Sequence, residues 1–224
     1  MTAAPSTRVL LVRHAEPDAW SRGRCCGRTD VPLSPAGRRQ ARALGRGLAR
    51  GGPDAVYASP RTRAVETAAA IGAAAGLPVT VADALAEIDF GELEGLPYDE
   101  IASSRPSVYR RWMTAPARVR FPGGEAFADV RARVVPWLDA TRRRHEGRCA
   151  VVVTHGGPIR AVLGGVLELP DRAVFRLDLG HAGVTLVEWI GDAPVVRYVN
   201  VAGAGRPASR DVAMAPAARS GTTR

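Results

Sequence analysis

Two of the four histidines in this 224-residue chain follow directly on runs of aliphatic residues. Val9-Leu10-Leu11-Val12 continues as Arg13-His14-Ala15-Glu16-Pro17, and Ala150-Val151-Val152-Val153 continues as Thr154-His155-Gly156-Gly157-Pro158. An apolar run without polar alternation reads as a strand buried on both faces, the pattern of a parallel sheet between helices. Ligands of such sheets sit beyond the carboxyl ends of the strands. If both runs belong to one sheet, His14 and His155 emerge at the same edge. A third run, Ala55 to Ala58, delivers Ser59 and then Arg61 and Arg63. The helix expected after His155 adds unpaired N–H groups, which favour an anion. Two imidazoles, arginines and a helix N-terminus together describe a pocket for a phosphate group. An imidazole can take the phosphoryl group itself, and a carboxylic acid nearby can protonate the leaving oxygen. Spacing leaves that acid open among Glu87, Asp89, Glu92 and Glu94. Core histidines satisfied by their neighbours, or metal ligands together with Glu87, are the competing readings. Placement at two strand ends weighs against the first, and flanking arginines, which repel a cation, weigh against the second.

The elements that must position these groups alternate. Ser34-Pro35 reads as the N-cap and first residue of a helix to about Arg50, ended by Gly51-Gly52-Pro53. Strand Ala55–Ala58 meets a second Ser-Pro pair, Ser59-Pro60, expected to open a helix through Ala75, and Val79–Val81 is the next strand. Tyr98 to Met113 reads as one or two short helices broken near Pro106, with loop from Ala115 to Gly124. A helix bent at Pro136 is expected from Glu125 to Glu146, then strand Cys149–Thr154 and a helix from Gly157 to about Leu167. Val184–Ile190 and Val195–Val199 form a hairpin around Gly191-Asp192 at one sheet edge. The order predicts an α/β fold, three layers with a mostly parallel central sheet. Residues 1–201 are expected to be one domain. From 202 to 224 the chain has almost no core-forming residues, the composition of a disordered tail.

With 46% hydrophobic and 24% charged residues, the chain has the composition of a soluble globular protein. No apolar stretch approaches the ~18 residues of a membrane span, and Met1 to Thr7 lacks a signal-peptide pattern, so a cytoplasmic protein without a membrane partner is expected. The net charge of +9 resembles a nucleic-acid signal, but all 31 basic residues are arginines spread along the chain, and aromatics are only 5%. A nucleic-acid stripe would be clustered and interleaved with aromatics, so no nucleic-acid partner is expected. Cys25, Cys26 and Cys149 make no disulfide framework and no metal-ligand spacing. His145 follows Arg142-Arg143-Arg144 near a helix end and reads as a solvated charge. His181, just before the hairpin, is a further candidate for the pocket mouth.

Several short motifs occur together in one order: Arg13-His14-Ala15-Glu16, then Cys26-Gly27-Arg28-Thr29-Asp30 through Leu33-Ser34-Pro35-Ala36-Gly37. Ser59 with Arg63-Ala64 and Thr67-Ala68 follows, then Glu87 with Phe90-Gly91 and Glu94-Gly95, Pro122-Gly123-Gly124-Glu125 and Thr154-His155-Gly156-Gly157. In this order, from the first strand to about Trp189, the chain resembles the histidine phosphatase (phosphoglycerate mutase-like) superfamily.

The resemblance implies a phosphohistidine on His14 as the intermediate. Arg13, Arg63 and His155 would hold the phosphoryl oxygens, and Glu87 would be the proton donor. Gly156, Cys26, Gly27, Arg28 and Trp20 would contribute to substrate binding. It implies a metal-independent phosphatase of the histidine acid type, with no metal or organic cofactor, acting on a small-molecule phosphomonoester as a monomer or homodimer. A bisphosphate-dependent mutase, or a catalytically silent ligand- or protein-binding member, is the alternative. Where mutases have asparagine, serine and a lysine near Tyr98, this chain has Trp20, Cys26 and no lysine at all. The segment from Glu87 to His155 is also shorter, and these departures favour a phosphatase. The stretch Gly23 to Arg28 is similar to that of phosphatases acting on α-ribazole phosphate.

Overall fold

β1 (Ser6–Arg13) lies at the middle of the sheet, parallel to β4 (Cys149–Thr154) on one side and antiparallel to β5 (Gly183–Ile190) on the other. The structure, a computed structural model, describes residues 6–202. Beyond β4 come β2 (Ala55–Ala58) and β3 (Val79–Val81), both parallel to it, and beyond β5 comes β6 (Ala193–Ala202), giving the order β3-β2-β4-β1-β5-β6. Within the sheet, the antiparallel pairings are those of β5 with β1 and β6, so the sheet is mostly parallel, as expected. The expected hairpin is β5 and β6.

Both faces of the central strands are buried because side chains alternate across the sheet. Val9, Leu11, Ala150 and Val152 face a layer made by α5 (Phe127–Arg144) and α6 (Gly156–Val166). Leu10, Val12, Val151 and Val153 face the opposite layer of α1 (Pro35–Ala49) and α2 (Thr62–Ala75). Helices on both faces are what the unbroken aliphatic runs demanded. α3 (Tyr98–Ser104) and α4 (Pro106–Thr114) form a separate cluster around Ile101, Leu93, Phe121 and Cys25. The short α7 (Asp171–Val174) completes the helices among the described residues and had no sequence signal strong enough to predict it.

Helix boundaries show where local chemistry decides. Ser34 Oγ accepts from the Gly37 N–H at 2.9 Å with Pro35 in the first turn, the predicted cap. The Ser59-Pro60 pair does not open α2, which begins at Thr62. Its cap comes from a distant residue: Asp30 accepts from Thr62 N–H at 2.7 Å and from its hydroxyl at 2.5 Å. Ser59 is thereby left for another task. α2 ends at Gly76 in the left-handed conformation, as a glycine C-cap should. α5 is shorter at both ends than the expected 125–146, and Pro136 sits inside it without ending it. α6 begins at Gly156 with His155 at its N-cap. The expected solvated His145 instead lies 2.9 Å from the Tyr57 hydroxyl, and burial lowers its pKa below the ordinary histidine value.

Ala202 closes β6; the rest of the expected tail, 203–224, lies outside the described residues. Among the described residues no helix is long and apolar enough to cross a membrane.

Candidate active site

The parallel register places the functional residues. Arg13 pairs with Thr154, and both Val12 and Ala58 stand beside Val153, so His14, Ser59 and His155 follow three neighbouring strand ends. The His14 and His155 rings lie 5.0 Å apart, centroid to centroid, edge to face. Both open onto a cavity of about 360 Å³ that Arg13, Arg63, Glu87, Cys26 and His181 also line.

His14 Nδ1 is 2.8 Å from the Ala15 carbonyl. A carbonyl can only accept, so Nδ1 carries the proton and Nε2 keeps its lone pair. Burial, then Arg63, with Arg13 and His181 in support, holds the His14 pKa well below the ordinary histidine value. The ring is therefore a neutral imidazole with one free basic nitrogen, the form a nucleophile needs.

His155 is fully buried, and its Nε2 is 2.7 Å from Ser59 Oγ. The Ser59 hydroxyl also accepts from the Arg61 N–H at 3.3 Å, which leaves it one donor and one acceptor site for the ring. Nδ1, the other ring nitrogen, is buried without a partner among the described residues. Burial, with Arg63 the next cause, also holds this ring well below the ordinary pKa. His155 is a neutral imidazole at the cavity wall.

Arg63 is buried, and its guanidinium donates to the carbonyls of Thr29 at 2.9 Å, Cys26 at 2.8 Å and Gly27 at 3.0 Å. Arg13 donates to the Leu179 carbonyl and, at 3.1 Å, to His181 Nε2. Burial lowers the pKa of both guanidiniums and Glu87 opposes that shift; arginine remains charged in proteins regardless.

The four carboxylates left open by spacing separate cleanly. Glu94 accepts from the backbone N–H of Gly27 at 3.2 Å, Arg28 at 2.7 Å, Thr29 at 2.8 Å and Phe90 at 2.9 Å, and from the Thr29 hydroxyl at 2.6 Å. It fastens the loop that carries the Arg63 acceptors. Asp89 binds Gly91 N–H and Arg28, and Glu92 pairs with Arg105. Of the four, only Glu87 lines the cavity. Its carboxyl accepts from the Ile88 N–H at 2.9 Å and from Gly157 N–H at 3.1 and 3.3 Å. The helix N-terminus expected to receive the phosphate thus holds Glu87.

The other expected contacts divide. Cys26 lines the cavity as a thiol whose pKa burial raises, with Arg63 opposing. Gly27 lies behind it, where a Cβ would stand 1.8 Å from the Ile88 carbonyl oxygen, so the position admits only glycine. Arg28 is turned to Asp89 at 3.4 Å, and Trp20 is half-exposed with the Arg24 guanidinium 4.8 Å over its ring. Trp20, Gly27, Arg28 and Gly156 do not line the cavity, nor does Arg61. His181, named above only as a candidate, stands at its mouth with its ring 5.2 Å from that of His14. The signal for it was tertiary: β5 pairs antiparallel with β1, with Val184 beside Val12, and so returns residue 181 to Arg13.

Comparison with known proteins places this geometry. The chain is 39% identical over 194 residues to a phosphoserine phosphatase of Hydrogenobacter thermophilus, covering 87% of this chain and 92% of that protein. It is 39% identical over 199 residues to a bifunctional protein of Mycobacterium tuberculosis, covering 88% of this chain but only 54% of that longer protein. Its structure is similar to that of mycobacterial glucosyl-3-phosphoglycerate phosphatase, with a TM-score of 0.80 and 29% identity, over 88% of this chain and 99% of the other. The family model described as histidine phosphatase superfamily (branch 1) matches residues 9–202, and the chain belongs to that superfamily.

Proposed function

We propose that the protein is a metal-independent phosphomonoesterase that hydrolyses a small phosphorylated metabolite through a phosphohistidine on His14. The observation that carries this reading is the bond from His14 Nδ1 to the Ala15 carbonyl, which leaves Nε2 as a neutral nucleophile in a cavity whose lining includes Arg13 and Arg63. His14 Nε2 attacks phosphorus; the N–P bond forms as the P–O bond to the leaving group breaks. Arg13, Arg63 and His155 take up the charge of the transferring oxygens. Glu87, as the acid, gives its proton to the leaving oxygen. As carboxylate it then accepts a proton from the water that attacks phosphorus and releases His14. The phosphatase relatives support the reaction class.

Hydrolysis of p-nitrophenyl phosphate in the presence of EDTA tests the reading. Activity should survive the chelator and vanish in His14→Ala. Labelled phosphate should appear in wild-type protein as an acid-labile, base-stable adduct. Persistent turnover by His14→Ala sinks the nucleophile assignment, and a strict requirement for a bisphosphate primer would indicate a mutase. A panel of phosphomonoesters ranked by kcat/KM, with phosphoserine, glucosyl-3-phosphoglycerate and α-ribazole phosphate among them, identifies the substrate.

A further inference from the structure

The arginines of this protein are held in two different ways. Many pair with carboxylates, as Arg105 does with Glu92, Arg133 with Glu125 and Arg197 with Glu188. Arg13 and Arg63 make no ion pair among the described residues. Every acceptor that orients them is uncharged: four backbone carbonyls and the Nε2 of His181. A neutral acceptor fixes the plane of a guanidinium and leaves its positive charge available to a phosphoryl group. A carboxylate in the same place would fix the plane and neutralise the charge.

His181 is the one side chain in that set. Because the guanidinium can only donate, His181 Nε2 is the accepting nitrogen of a neutral ring. The turn that carries it is tied to the nucleophile segment. The Ala182 N–H donates to the carbonyls of Arg13 and His14, at 3.1 Å each, and Ala182 takes the left-handed conformation at φ 57°. Asn200 Oδ1 accepts from the Gly180 N–H at 2.8 Å, which pins the turn to β6. The charged and titratable groups bearing on the ring are Arg13, Glu16, Arg63 and His14.

We propose that His181 is a positioning residue for Arg13, a neutral acceptor that sets the guanidinium against the phosphoryl oxygens without neutralising it. The proposal rests on the phosphomonoesterase reading. It predicts that charge at position 181 matters more than volume.

The test uses the full chain with His181→Ala, His181→Gln and His181→Glu, reading kcat/KM on p-nitrophenyl phosphate and the Kd of orthovanadate, with thermal melts as a folding control. Losing one oriented hydrogen bond predicts about a tenfold fall in kcat/KM for alanine. Glutamine, whose amide oxygen can accept from Arg13, should recover to within about threefold of wild type. Glutamate should fall furthest, about a hundredfold, because it pairs with Arg13 and repels the substrate. In a double-mutant cycle on vanadate affinity, His181→Ala should add little to the loss caused by Arg13→Ala. Glutamate as active as glutamine, or additive losses in the cycle, overturns the proposal. If Arg13→Ala does not fold, the split between glutamine and glutamate decides alone. A folded wild-type protein that neither hydrolyses the ester nor binds vanadate refutes the phosphatase reading instead.

Discussion

Ser59 Oγ lies 2.7 Å from His155 Nε2 and joins the ends of two adjacent strands, β2 and β4, through one hydrogen bond. The serine hydroxyl is the one hydrogen-bond partner of the fully buried His155 ring among the described residues. It thereby fixes the orientation of the ring.

Ser59→Ala should lower kcat/KM by about tenfold, the cost of losing the partner that orients His155. Loss of a buried hydrogen bond should also cost about 1 kcal/mol of stability. Steady-state kinetics alongside urea denaturation separates the two effects. Unchanged kcat/KM in a destabilised protein would show that Ser59 is purely structural.

Protein stability should fall on acidification, and the sign follows from the two buried imidazoles. Both have native pKa values well below the 6.5 of an unperturbed histidine. Below pH 6.5 the unfolded chain therefore binds more protons than the native one, so stability declines as pH drops and is level above it. Each histidine contributes about 1.4 kcal/mol per pH unit in the declining range. Denaturation curves from pH 8 to pH 5 should show this slope, and His155→Asn should make it shallower. For the same reason, no loss of activity from protonation of His14 is expected at a pH near 6.5. An acid limb of kcat/KM centred there and assigned to His14 would contradict the neutral, buried ring.

Gly157→Ala should damage proton donation selectively. A Cβ at this position would stand 2.3 Å from Glu87 Oε1, so the carboxyl must leave its N–H cradle. Turnover of an alkyl phosphate, whose leaving oxygen needs a proton, should fall by about a hundredfold. Turnover of p-nitrophenyl phosphate should fall much less. Measuring both substrates on Gly157→Ala and Glu87→Gln gives the comparison, and equal losses on the two esters would remove Glu87 from the acid role.

Glu94→Ala should be among the most destabilising changes in the loop region, at about 3 kcal/mol or more, because it strands four backbone N–H donors and the Thr29 hydroxyl. Activity should fall with it, since Arg63 depends on the Thr29, Cys26 and Gly27 carbonyls of that loop. Thermal melts and kcat/KM, measured on the same preparation, should move together. A variant as stable as wild type would mean that water replaces the carboxylate without penalty.

Much of the fold was legible because its signals are local. Four unbroken aliphatics at Val9 and at Ala150 can only be buried on both faces, and the chain did bury them so. Ser34-Pro35 carries its own helix start in adjacent residues. Ser59-Pro60 shows where the same pattern misleads, since Asp30, far away in sequence, caps α2 and frees the serine for His155. Glu87, Asp89, Glu92 and Glu94 could not be separated by spacing, because only their surroundings differ: a helix N-terminus, a surface arginine, or a loop of N–H donors.

By itself the sequence determined the strands, their order of types and the edge at which His14 and His155 must meet. Side-chain periodicity and turn chemistry are properties of neighbouring residues, which any reader of the chain can see. The tertiary structure alone decided the partners of the two cavity imidazoles at the strand ends and the acceptors of Arg13 and Arg63. Those partners are the carbonyls of Ala15, Thr29, Cys26, Gly27 and Leu179, with Ser59 and His181. Every residue has a carbonyl, so sequence cannot mark which one will face a guanidinium; only the folded backbone brings one there.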